Sequence, residues 1–163
     1  MGDSLSQAFQ YNRWANLHIL KVCSTLDDRQ LQLASPGTYG TIAATLQHLL
    51  AAEQRYVRRL TGAEPRLSEM DEFPGVARLE EHAERSGQDL IDAAGEVDPN
   101  GTYESRRGDE PVRIKNWVVV SQAIHHGNDH RTQICTILSQ NGISVEDINV
   151  WAYAESVDGY EAI

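Results

Sequence analysis

His126 and His130 stand four residues apart in the segment His125-His126-Gly127-Asn128-Asp129-His130-Arg131. On an α-helix that spacing puts both side chains on one face, one turn apart. Two imidazolium charges so close inside a core would repel. A divalent metal ion is the simplest reason for the pair, because metals bind neutral imidazole. The same spacing also suits two neutral, hydrogen-bonded core histidines, and the pair alone does not separate these readings. His125 points about a quarter turn away and is a bystander.

The apolar neighbours identify the face. Val119, Ala123, His126, His130, Ile134 and Ile137 recur at steps of 4, 3, 4, 4 and 3, which predicts a helix over about 114–139 with the histidines on its core side. Three other amphipathic segments accompany it. The first runs over about 4–26, with Ala8, Tyr11, Ala15, His18, Val22 and Leu26 as its stripe. Trp14 is expected in core packing and His18 half-exposed. The second runs over about 41–60 along Ile42, Leu46, Leu49, Leu50, Val57 and Leu60. Glu53 falls on that stripe, where either a buried pairing with an Arg or a proton-carrying role beside a metal would place it. His48 lies toward the small residues Thr41, Ala44, Thr45 and Ala52, which leave room for a cleft. The third runs over about 76–97 along Leu79, Ala83, Ser86, Leu90 and Val97, with His82 read as solvated among Glu80, Glu81 and Glu84. Asp98-Pro99-Asn100-Gly101 is a turn signal. Two short strands, 102–107 and 110–115, are read about Gly108-Asp109. Asn141-Gly142 ends the histidine helix, a short fifth helix is read from about Ser144 to Glu155, and 158–163 is expected to fray.

Four amphipathic helices with modest connections predict an all-α four-helix bundle, and a chain of 163 residues predicts a single domain, 1–163. The net charge of −10 argues against nucleic acid and anionic membrane surfaces as partners. Cys23 and Cys135 lie far apart and in no paired motif, which suits free thiols in a reducing cytoplasm. No basic-apolar leader is visible at Met1-Gly2-Asp3-Ser4, so the expected location is cytoplasmic. Bundles build metal sites from facing helices. Beyond His126 and His130 the candidate ligands are His18, His48, His82, Asp129 and Glu53, with His48 best placed by its surroundings.

Three motifs carry a resemblance. Tyr11-Asn12-Arg13-Trp14-Ala15-Asn16, His48-Leu49-Leu50-Ala51-Ala52-Glu53 and His126-Gly127-Asn128-Asp129-His130-Arg131-Thr132-Gln133-Ile134, followed by Val150-Trp151-Ala152-Tyr153, resemble in order and spacing the DinB/YfiT-like family of metalloenzymes. Relatives often have Gly where this chain has Thr132. The resemblance implies an up-down-down-up bundle, often a homodimer, with His48, His126 and His130 holding one divalent metal. Zinc and nickel lead, with iron and manganese as alternatives. Three protein ligands with open positions is the catalytic pattern. Characterised relatives use mycothiol, bacillithiol or glutathione, so the resemblance implies a thiol S-transferase acting on a small thiol and an electrophile. A metal-dependent hydrolase and a non-catalytic, metal-binding stress-response protein are the alternatives. Glu53 and Asp129 are the candidate catalytic carboxylates.

Overall fold

The computed structural model describes residues 4–161. Met1, Gly2 and Asp3, on which the reading of the N-terminus rests, lie outside the described residues, as do Ala162 and Ile163 of the expected fraying end. The elements in order are α1 (Ser4–Cys23), α2 (Asp28–Leu31), α3 (Ile42–Thr61), α4 (Val76–Ala94), β1 (Thr102–Arg107), β2 (Glu110–Lys115), α5 (Asn116–Gln140) and α6 (Val150–Ser156).

Helix directions follow from which residues share a core. At one end, Ile19, Leu20 and Cys23 from the close of α1 pack with Ile42 and Leu46 from the start of α3. Val76 and Leu79 from the start of α4 join them, with Ile134, Ile137 and Leu138 from the close of α5. At the other end, Phe9 of α1 meets Tyr56 and Val57 of α3, Leu90 and Ala94 of α4, and Val119 and Ala123 of α5. The order is therefore up, down, down, up: α3 and α4 run parallel, and residues 62–75 travel back along the bundle to join them. Local chemistry sets the ends of α3. Thr41 caps its start by accepting from the Ala44 N–H at 3.1 Å, and Gly62 closes it with φ +81°, a conformation that favours glycine.

The hairpin is antiparallel, in register from Thr102↔Lys115 to Arg107↔Glu110. It feeds directly into α5, and Tyr103 packs on the second core cluster. No helix among the described residues is long and apolar enough to cross a membrane.

Three expectations need correction. The buried face of α1 is Phe9, Asn12, Ala15, Asn16, Ile19, Leu20 and Cys23 with Tyr11 at its edge, rotated from the stripe through Ala8 and His18. Two asparagines belong to the core, and polar residue type hides that. The fifth helix begins at Val150, capped by Asn149 through the N–H groups of Trp151 and Ala152, and not near Ser144. His82 is not a solvated residue; it is half-buried, 3.0 Å from the Gln54 side chain. The short helix α2, with its Asp27–Gln30 capping box, has only one turn and leaves no periodic signal.

Candidate metal centre

The middle of the bundle is polar, between the two apolar clusters. On its outer side, α3 presents His48 and α5 presents His126 and His130. A ligand nitrogen from each lies within 4.8 Å of the other two, and Nε2 of His126 is 3.1 Å from Nε2 of His48. Ring centroids are 4.3–5.0 Å apart. Nitrogens sharing a tetrahedral zinc stand about 3.3 Å apart, so this donor set fits one divalent ion with small adjustments.

What the far side of each ring touches decides which nitrogen faces inward. His48 donates from Nδ1 to Oε2 of Glu69, a residue of the 62–75 connection. The same carboxylate is ion-paired with Arg55, Nη1 lying 2.8 Å from Oε1, and accepts from the Tyr39 hydroxyl at 3.2 Å. His130 donates from Nδ1 to Oε1 of Gln133 at 3.1 Å, and that oxygen also accepts from the Tyr39 backbone N–H at 3.0 Å. Two of the three rings therefore have Nδ1 engaged, which leaves Nε2 as the nitrogen each can offer to a metal. Outer partners of this kind fix tautomer and ring orientation in metal sites. Tyr39 ties both together, and its own ring stacks on His48 at 3.9 Å between centroids.

The electrostatics favour uncharged rings at His126 and His130. Burial, then the neighbouring His130 and His48, pull the His126 imidazole down from its ordinary 6.5 to about 4. Burial also lowers His130. Glu69 is held below the usual carboxylate range, first by the hydrogen bond from His48. Neutral imidazole is the form that binds a cation, and an ionised carboxylate behind a ligand ring favours that binding.

On the inner side of the same helices lies a second polar group. Glu53, 4% exposed, accepts from Asn12 and Asn16 at 2.8 Å each through Oε2 and from Ser86 at 2.5 Å through Oε1. Arg131, 1% exposed, donates to Oδ1 of Asn12 at 2.9 Å and to Oδ1 of Asn16. Its other terminal nitrogen donates to Asn128 at 2.7 Å. The two asparagines thus bridge guanidinium and carboxylate. Burial raises the Glu53 carboxyl, against the hydrogen bonds from Ser86 and Asn12 and the charge of Arg131. Gly127 is required here: a Cβ on it would sit 2.5 Å from Asn12 Oδ1 and 2.8 Å from Arg131 Nη1.

Of the residues singled out in the sequence, His48, His126 and His130 come together. Glu53 has all its partners on α1 and α4, away from the imidazoles. Asp129 is exposed, 3.2 Å from His125 Nε2. His18 lies against Trp14, with ring centroids 5.3 Å apart, and neither His18 nor His82 joins the cluster. Trp14 packs on Tyr153 of α6. Glu69, Tyr39, Gln133 and Arg131 were not singled out. Gln133 was findable, since it follows His130 by three residues on one helix face. Glu69 and Tyr39 come from connections with no periodicity to read.

The sequence profile of the DinB family matches residues 1–161. No curated protein matches the chain significantly. Among solved structures, the chain is similar to a DinB-like protein from Bacillus cereus ATCC 10987. The identity is 19%, the TM-score 0.67, and the match covers 89% of this chain and 95% of that one. The same bundle is thus kept at low identity, and the family profile spans nearly every residue from which the bundle and its three-imidazole cluster are built; the chain belongs to the DinB family.

Proposed function

We propose that the protein is a metal-dependent enzyme that transfers a low-molecular-weight thiol to a small electrophile, with His48, His126 and His130 holding one divalent ion. The observation that carries this reading is the convergence of three imidazole nitrogens within 4.8 Å while Glu69 and Gln133 occupy Nδ1 of two of the rings. A divalent cation held there would lower the pKa of a coordinated thiol or water. The protein's own groups would do the rest. Glu69 steadies His48 and partly balances incoming positive charge. Gln133 fixes the orientation of His130. Tyr39, half-exposed over His48, walls one side of the approach.

Neither candidate carboxylate is assigned the chemical step. Glu53 holds Asn12, Asn16 and Ser86, and we assign it to the inner network. Asp129 faces His125 at the surface. Glu69 is the carboxylate in contact with the cluster. Zinc and nickel suit an all-imidazole set. The two free cysteines fit a cytoplasmic setting, and a homodimer is the expected assembly.

Cobalt-substituted protein tests the reading. Adding the right thiol near neutral pH should produce a sulfur-to-metal charge-transfer band, absent from His48→Ala. Replacing Cys23 and Cys135 should leave the band intact, since burial pushes the Cys23 thiol up to about 12 and also raises Cys135. If mycothiol, bacillithiol and glutathione all fail to perturb the spectrum of metal-loaded protein, the transferase reading falls and a hydrolase takes its place.

A further inference from the structure

The face of α3 that carries His48 continues as Arg55 and Arg59, at steps of seven and four residues. All three side chains share one stripe. Past the imidazoles this stripe opens onto a shallow pocket of about 410 Å³ between α3 and the hairpin, lined by Arg55, Arg58, Arg59, Tyr103, Glu104 and Ser105.

Most charges around this pocket are matched. Arg55 is 2.8 Å from Glu69, Arg58 is 3.4 Å from Glu64, and Glu104 is 3.6 Å from Arg113. Arg59 has no carboxylate partner among the described residues. Its guanidinium carbon instead lies 5.7 Å from the ring centroids of both Tyr56 and Tyr103. Aromatic faces orient a guanidinium without neutralising it, and its N–H fork stays free for a planar anion. Tyr56 also meets His126 edge-on at 5.7 Å between centroids, so one tyrosine ring touches both the guanidinium and the imidazole cluster. Eleven residues separate His48 from Arg59, about 16 Å of helix, and the guanidinium folds back by about one turn over Tyr56. The remaining span of about 10 Å is the length of an extended tripeptide.

We propose that the Arg59 pocket binds a carboxylate of the small-molecule ligand whose other end reaches the three imidazoles. The second half of this statement rests on the metal-centre reading; the carboxylate site does not. It gives the ligand a class, an acidic thiol. Glutathione and bacillithiol carry carboxylates, whereas mycothiol carries none.

The test uses the full chain, isotope-labelled, at fixed ionic strength. Succinate is titrated against its neutral diamide while the backbone amides of residues 55–59 and 103–105 are followed by NMR. Succinate should give saturable shifts there and the diamide none. Arg59→Gln should weaken succinate at least about tenfold, as loss of a charged hydrogen-bonding partner does. Arg59→Lys, which keeps charge but loses the fork, should lose less. Zinc affinity, measured on the same samples, should be equal in all three. Equal binding of diamide and succinate, or unchanged succinate affinity in Arg59→Gln, overturns the proposal. Tighter binding of inorganic phosphate than of succinate overturns the carboxylate assignment. Zinc failing to bind while succinate binds normally sinks the metal-centre reading and leaves the carboxylate site standing.

Discussion

His130 and Arg131 are consecutive residues of α5, yet they serve opposite kinds of polar site. Arg131 enters a closed network in which guanidinium, two asparagines, a serine and a carboxylate satisfy one another. His130 joins a cluster whose inward nitrogens meet mainly one another. The inner network spends its polar atoms on one another. In the outer cluster burial disfavours charge on His126 and His130, and the orienting partners lie on the far side of the rings. Buried charges persist only when paired, whereas a binding site must leave some atoms' demands unmet. A single residue step, about 100° around the helix, thus separates a site that holds the fold from a site available for chemistry.

The largest expected effect would break the inner site. Arg131→Met leaves Glu53 buried without its compensating charge, and removing one partner of such a pair costs about 3–5 kcal/mol. Urea unfolding of metal-free protein should show that loss. A change below about 1 kcal/mol would mean the network is not what holds the middle of the bundle together. Next comes the outer site. His126→Ala should unfold close to wild type without metal, yet lose the stabilisation that zinc confers. At a hundredfold excess over the dissociation constant that gain is about 2.7 kcal/mol in wild type. Equal gains in both proteins would remove His126 from the ligand set.

Smaller effects would sharpen the contrast. Glu69→Gln keeps a hydrogen-bond acceptor but removes the charge behind His48. Zinc affinity by competition with a chromophoric chelator should fall by about 10–100-fold, with the unfolding midpoint of metal-free protein unmoved. A shift in stability with no shift in affinity would make Glu69 a strut for the connection only. Gln133→Ala should give the smallest change. It removes a neutral hydrogen bond, worth about 0.5–1.5 kcal/mol, so the affinity loss should be at most about tenfold and smaller than for Glu69→Gln. The reverse ranking would show that orientation of His130 outweighs charge behind His48.

The helices and the hairpin were legible because their signals are periodic. The α5 stripe names the buried residues Val119, Ala123, His130, Ile134 and Ile137, and both strands follow from turn chemistry. The three histidines were named through spacing on α5 and small neighbours on α3, with the family resemblance joining them. The inner network misled the reading of α1. Asn12 and Asn16 are fully buried, but a pattern that sorts residues as polar or apolar turns such a face outward. The outer partners were illegible for another reason. Glu69 reaches His48 from 21 residues away through a connection without regular structure, and only the parallel arrangement of α3 and α4 brings it there. Tyr39 depends likewise on the path of residues 32–41.

The returning connection between α3 and α4 has a consequence for how this protein can change. The bundle dictates where the imidazoles stand, but the carboxylate behind one of them rides on a strand of chain that no helix periodicity constrains. Substitution, insertion or a changed turn between residues 62 and 75 can alter the field at His48 while leaving every helix face intact. On the proposed metal-centre reading, the strength and preference of cation binding can therefore drift independently of the architecture, as a tuning screw turns without disturbing its frame.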